Sequence, residues 1–185
     1  MVEASRVIVL DRDGVINYDT DDFVKSPAEW RPMPGSLEAI ARLTEAGYRI
    51  VVVSNQSGVG RGLFDLATLD RIHAKMDTAV RGAGGALAGV YFCPHAPDRG
   101  CHCRKPRTGM LLRAQADLGI DSFRGAPLVG DKVADLELAA AVGARGILVL
   151  TGKGADTARA AVAADCETYP DLAAAVDALL AEESS

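Results

Sequence analysis

Apolar residues fall into two kinds of run along the chain. Short β-branched stretches without polar alternation, RVIVL from Arg6 to Leu10 and YRIVVVSN from Tyr48 to Asn55, predict strands buried on both faces. Between them SLEAIARLTEAG, Ser36 to Gly47, places its apolar residues at helical spacing and stops on a glycine, which predicts a helix. A polar, glycine-rich loop NQSGVGRG follows, then a helix from Asp65 to Arg81, a loop of small residues from Gly82 and a short strand from Gly89 to Phe92. Further on, the pattern predicts a helix over Thr108 to Leu118, a strand over Ala126 to Val129, a helix over Val133 to Val142 and a strand over Arg145 to Leu150. Ala155 to Ala164 reads as a compact helix and Pro170 to Leu180 as the last one. Such an alternation predicts a doubly wound α/β fold, a parallel sheet covered on both faces. At 185 residues the expectation is one domain over 1–185.

Ligands of such folds sit beyond the carboxyl ends of the strands. DRDG follows the first strand, SNQSG the second and GDKVAD the strand at Ala126, while CRKP precedes the helix at Thr108. These motifs supply the carboxylates of Asp11, Asp13, Asp131 and Asp135, the hydroxyl and amide of Ser54 and Asn55, and the amines of Lys105 and Lys132. Oxygen-rich carboxylate sites suit Mg²⁺, and lysines neutralise phosphate. An aspartate can attack phosphorus to give an aspartyl phosphate, and a second carboxylate two residues later can protonate the leaving oxygen and then activate water. A lone DxD after a strand is weak, since acids often end strands as solvated turn formers; four motifs in order at strand ends are not. Asp135, one helical turn beyond Asp131, reads as support for the metal site or as a helix-face acid. GVGRG fits neither a dinucleotide fingerprint nor a P-loop, which leaves Arg61 ambiguous.

Charge and cysteine content narrow this further. A net charge of −5 argues against a broad nucleic-acid surface while allowing a local basic pocket for a small anion. No charged n-region with an apolar h-region opens the chain and no run approaches eighteen apolar residues, so the expectation is a soluble cytoplasmic protein without membrane or nucleic-acid partners. In a reducing compartment the crowded Cys93, His95, Cys101, His102 and Cys103 read as metal-binding or reactive. His73 reads as a surface or packing histidine and Cys166 as a small buried thiol.

At DRDGV, SN, RKP and GDKVAD the sequence resembles the haloacid dehalogenase-like phosphatases. DRDGVIN, VVVSNQSGVGRGLF, CPHAP, CxCRKPRTGML, VGDK and LVLTGK are similar, more closely, to the heptose-bisphosphate phosphatases of that superfamily, from about Arg6 to Lys153. The resemblance implies hydrolysis of the 7-phosphate of a heptose 1,7-bisphosphate, leaving a heptose 1-phosphate for nucleotide-activated heptose and lipopolysaccharide synthesis. It implies Asp11 as nucleophile, Asp13 as general acid and base, Mg²⁺ on Asp11, the Asp13 backbone and Asp131, and Ser54 and Lys105 on the transferring phosphoryl group. Asp19 and Asp22 of the segment Asp19 to Phe23, with Asn55, Gln56, Ser57, Arg104 and Lys132, are implied as substrate contacts. Ser54 stands where threonine is more familiar, and YDTDDFV is one residue longer than the family pattern.

Cys93, His95, Cys101 and Cys103 match a zinc site of the family, and three thiolates with one imidazole make the closed set of a structural zinc. His102 is the competing imidazole. Neither gap between motifs has room for a cap domain, so the expectation is a capless, monomeric enzyme with a zinc loop at 93–103. The rivals are a histidinol-phosphate phosphatase of the same superfamily, a phospho-receiver module, which would need neither a second acid nor the zinc loop, and a DNA-end phosphatase, which the acidic balance disfavours.

Overall fold

A computed structural model describes residues 6–183. The runs that lack polar alternation form the centre of one sheet: β1 (Val7–Leu10), β2 (Arg49–Asn55), β3 (Gly89–Cys93), β4 (Pro127–Gly130), β5 (Arg145–Val149) and β6 (Glu167–Tyr169). The six strands pair in the order β3-β2-β1-β4-β5-β6, all parallel. All four residues of β1 are buried, as expected of a central strand with no polar face.

Alternate residues of each strand feed two apolar layers. Ile8, Leu10, Ile50 and Val52 face α1 (Ser36–Glu45) and α3 (Leu66–Gly82), with α7 (Leu172–Glu183) completing that layer. Val7, Val9, Val51 and Val53 face the opposite side, where α4 (Gly109–Leu118) and α5 (Val133–Val142) contribute Met110, Leu111, Leu138 and Ala139. Each fully buried aliphatic side chain contributes on the order of 2 kcal/mol to holding the layers together. Asp65 caps α3 by accepting the Thr68 N–H at 2.8 Å.

Three expectations differ from the structure. NQSGVGRG is not an open loop: α2 (Ser57–Gly60) makes one helical turn there, docked on the loop after β3. A Cβ on Gly60 would lie 2.6 Å from the Ala96 nitrogen and 2.7 Å from the Pro94 oxygen, so the glycine permits the close approach. Ala155 to Ala164 is not one helix but α6 (Gly154–Thr157) and a 3₁₀ turn at Ala161–Ala163. Finally β6, only three residues long, adds an edge strand that carries no clear apolar pattern.

The order reverses at β1, whose neighbours β2 and β4 lead to opposite halves of the sheet. The loops after these two neighbours and after β1 itself therefore share one crevice, and among the described residues no inserted domain covers it.

Candidate active site

Asp11 lies directly beyond β1, tied to β4 by its N–H donating to the Val129 carbonyl at 2.9 Å. Its Oδ1 accepts the Arg12 backbone N–H and the Lys105 ammonium, each at 2.8 Å, and Lys132 Nζ stands 3.8 Å from Oδ2. Burial works to raise the Asp11 carboxyl, but the two lysines and these hydrogen bonds outweigh it and hold the group below the usual carboxylate range. Asp11 is thus an ionised carboxylate at the base of a cavity of about 320 Å³, which Asp13, Asp19, Arg104, Lys105 and Lys132 also line.

Lys105 is buried, 5% exposed, at the end of the loop that follows β3. Its ammonium donates to Asp11, to the Val53 carbonyl at 3.0 Å and pairs with Asp135 Oδ1 at 2.7 Å. Burial opposes its charge, and the two carboxylates reverse that and keep it protonated. Asn55 fixes the backbone here, accepting the Lys105 N–H at 2.9 Å and donating to its carbonyl at 3.3 Å. Both oxygens of Asp135 are engaged, since Oδ2 also accepts the Lys132 N–H at 3.0 Å. Asp135 therefore braces the Lys105 ammonium and the Lys132 backbone from the wall of the same cavity.

Asp131 is fully buried after β4. Its Oδ2 accepts the Lys153 N–H at 2.8 Å and its Oδ1 the Lys132 ammonium at 3.0 Å. Burial, then the Asp11 charge, push its carboxyl up to about 8. Asp11, Asp131 and Asp135 each bring an oxygen within 4.8 Å of the others, and the Asp13 carbonyl turns toward them, accepting Lys132 Nζ at 3.3 Å. The mutual repulsion recorded at Asp131 is what a hard divalent cation relieves, so an oxygen site for Mg²⁺ fits these residues. Gly14 and Gly152 make room for that carboxylate: a Cβ on either would fall 2.1 or 2.2 Å from Asp131 Oδ2.

Asp13 faces the cavity from the other side. Its Oδ1 accepts from Arg12 Nε at 3.0 Å, Arg12 Nη2 at 2.8 Å and Asn17 Nδ2 at 2.8 Å, and its Oδ2 from Arg12 Nη2 at 3.0 Å and Gln56 Nε2 at 2.7 Å. The Gln56 amide also donates to Ser54 Oγ at 2.6 Å.

The second cluster lies in the loop after β3. Cys93 Sγ is 3.5 Å from Cys101 Sγ and 3.6 Å from His95 Nδ1, Cys103 Sγ is 3.5 Å from Cys101 Sγ, and His95 Nδ1 is 3.2 Å from Cys103 Sγ. A tetrahedron built on zinc bonds of about 2.3 Å to sulfur and about 2.0 Å to nitrogen has edges of roughly 3.5–3.8 Å. The four atoms are spaced for zinc, with His95 and not His102 as the imidazole; His102 is exposed. Gly109 packs on this loop, where a Cβ would sit 2.5 Å from the His102 oxygen.

Most of the expected site residues meet here: Asp11, Asp13, Asp19, Asn55, Ser57, Arg104, Lys105 and Lys132 line the cavity, and Ser54 and Asp131 are buried beside it. Asp22 does not. The Phe23 N–H donates to the Thr20 carbonyl at 3.2 Å, and the turn so closed carries Asp22 to the exposed side while Thr20, Asp21 and Phe23 line the cavity. Gln56, expected as a substrate contact, is 3% exposed and spent on Asp13, Ser54 and Arg12. Arg61 stacks over the Phe23 ring, 5.8–5.9 Å being the range of such contacts here and 5.9 Å its own. Sequence reasoning missed Arg12, Asn17 and Lys153; the only signals were the charged residue inside DRD and the TGK after β5. A larger groove of about 640 Å³ runs along β3 beside Tyr91 and Met110 but holds neither the strand-end acids nor the lysines.

Comparison with known proteins agrees with this geometry. A family model described as HAD-hydrolase-like matches residues 102–175, and one described as polynucleotide kinase 3 phosphatase matches residues 6–133. Fold and site together are those of the HAD-like phosphatases. The chain is 47% identical over 174 residues to the D-glycero-beta-D-manno-heptose-1,7-bisphosphate 7-phosphatase of Pseudomonas aeruginosa, covering 94% of this chain and 97% of that one. It is 48% identical over 178 residues to the protein of that name from Bordetella bronchiseptica, covering 96% and 99%. The crystal structure of D,D-heptose 1,7-bisphosphate phosphatase from B. bronchiseptica, complexed with magnesium and phosphate, matches with a TM-score of 0.91 at 48% identity over 96% of this chain and 99% of that one. The chain belongs to this family of heptose-bisphosphate 7-phosphatases. No helix among the described residues is long and apolar enough to cross a membrane.

Proposed function

We propose that this chain is a Mg²⁺-dependent phosphatase that removes the 7-phosphate of D-glycero-β-D-manno-heptose 1,7-bisphosphate, leaving the sugar 1-phosphate, as its relatives' name describes. The observation that carries this reading is the ionised Asp11 carboxylate between Lys105 and Lys132 at the base of an open cavity. Asp11 attacks phosphorus while Asp13 delivers a proton to the leaving sugar oxygen; Asp13 then takes a proton from the water that attacks the aspartyl phosphate, and Asp11 is released as carboxylate. Lys105 and the Ser54 hydroxyl face the charge spread over the equatorial oxygens. Arg104, whose Nη1 is buried without a partner, and Lys132 with Asp19 bind the remainder of the phosphosugar. Mg²⁺ on Asp11, Asp131 and the Asp13 carbonyl would supply Lewis-acid neutralisation of the phosphoryl group. Zinc on Cys93, His95, Cys101 and Cys103 would be structural, within one catalytic domain.

Initial rates with Mg²⁺ on the heptose bisphosphate, histidinol phosphate and a 3′-phosphorylated oligonucleotide test the reading. The heptose bisphosphate is expected to give the highest kcat/KM; equal rates on all three would sink it, and a preference for the oligonucleotide would move the chain to the end-processing class whose model it also matches.

A further inference from the structure

Arg12, the residue between the two catalytic acids, is 0% exposed, a rare placement for a guanidinium in a water-open site. A buried charge is tolerated only with full pairing, and its counter-charge here is Asp13, whose side chain is 17% exposed and faces the cavity. Every guanidinium nitrogen is used: Nε and Nη2 on Asp13, Nη2 also on Gln56 Oε1 at 3.0 Å, and Nη1 against His73 Nε2 at 3.2 Å. His73 is held neutral, pushed down to about 3 by burial and by the Arg12 charge, so its ring accepts and does not repel. The Arg12 carbonyl in turn gathers the N–H groups of Val15, Ile16 and Asn17, so the guanidinium is rooted in a closed turn.

We infer that Arg12 is a positioning residue for proton transfer: its fork, assisted by Gln56, sets the orientation of the Asp13 carboxyl group, an acid before the first displacement and a carboxylate after it, toward the leaving oxygen. Gln56 adds a second link, since one amide nitrogen touches both Asp13 Oδ2 and the Ser54 hydroxyl, joining the acid to the group that faces the phosphoryl oxygens. This rests on the reading of Asp13 as general acid and base. In the first displacement the Asp11–phosphorus bond forms, the phosphorus–sugar oxygen bond breaks and the Asp13 proton goes to that oxygen. A nitrophenolate leaving group needs no such proton, which separates orientation of Asp13 from integrity of the fold.

The test is rapid-quench measurement of the phosphorylation step of the Mg²⁺-loaded full chain, on the sugar bisphosphate and on p-nitrophenyl phosphate, for Arg12→Met, Gln56→Met and Asp13→Asn. Proton transfer by a placed side chain is worth about 10²–10⁴-fold, so Arg12→Met is expected to slow the sugar reaction by about 100-fold and the aryl reaction by less than about threefold. Gln56→Met removes no charge, keeps the proposal testable if Arg12→Met does not fold, and is expected to show the same split, about tenfold on the sugar. Equal losses on both substrates, or no loss on the sugar, would overturn the positioning role. Asp13→Asn lacking the split would overturn the underlying assignment of Asp13 instead.

Discussion

The two metal-competent clusters among the described residues are built on opposite plans. At the acid site Asp11, Asp131 and Asp135 are almost wholly buried, between 0% and 3% exposed, and each of the two lysines among them pairs with more than one carboxylate. At the thiol site four ligand atoms already sit at tetrahedral spacing, with His95 exposed and Cys101 and Cys103 partly open to solvent. Burial belongs with reactivity in the first case, because a low dielectric strengthens every charge interaction used on the substrate. In the second, bonds to a zinc ion would themselves order a loop that has little apolar content of its own.

Removing one group from each cluster should separate activity from stability. Asp11→Asn is expected to lower kcat by about 10⁴-fold or more, since loss of a nucleophile leaves only binding and charge stabilisation; circular dichroism should report an unchanged fold. Substantial Mg²⁺-dependent turnover in this variant would contradict the nucleophile assignment. Cys101→Ser should weaken zinc binding by more than the roughly 100-fold that loss of a supporting hydrogen bond costs, and lower the melting temperature. Its kcat/KM should fall by less than the roughly 100-fold of a displaced catalytic group. Wild-type zinc by elemental analysis would remove Cys101 from the ligand set.

A different kind of effect is expected in pH dependence. Asp131, pushed up to about 8, keeps a proton in the folded metal-free protein at pH values where the unfolded chain, near 3.8, has lost it. The folded state binds more protons across that window, so stability of the metal-free protein should fall as pH rises from about 4 to about 8. Mg²⁺ competes with that proton, so the gain in melting temperature on adding it should grow over the same interval. Thermal melts of Asp131→Asn should show both slopes flattened; slopes equal to wild type would assign them elsewhere.

Strands β1, β2, β4 and β5 were legible because runs such as VIVL and RIVVVSN have no polar face, and the acids and lysine were legible because each follows such a run or opens a helix. Residue types alone left the cysteine-rich loop as metal-binding or reactive and the family resemblance named the four ligands, while the placing of His95 rather than His102 among the thiols depends on which imidazole the loop turns inward. Arg12 was not, because a charged residue after a strand reads as solvated, and its burial is created by Gln56 and His73 from elements 44 and 61 residues away. Asp22 misled for the converse reason: in YDTDDFV every acid looks equivalent, and only the turn at Thr20–Phe23 sorts Asp19 and Asp21 to the cavity. Ala155 to Ala164 has a composition that favours helix, but Thr157 is drawn to the Asp131 carbonyl, its Oγ1 donating at 2.7 Å, and the chain breaks there.

Gly14 and Gly152, far apart in sequence but joined by the Thr151 hydroxyl donating to the Gly14 carbonyl, both press on Asp131 Oδ2, with φ of 87° and 58°. The slot they leave has no slack, so an added methyl group at either position must evict the carboxylate, and a change at one cannot be rescued at the other. Random mutagenesis scored by activity should therefore find these two turn positions as intolerant as the acids, although neither carries a functional group. In library design they belong with the residues to be held fixed.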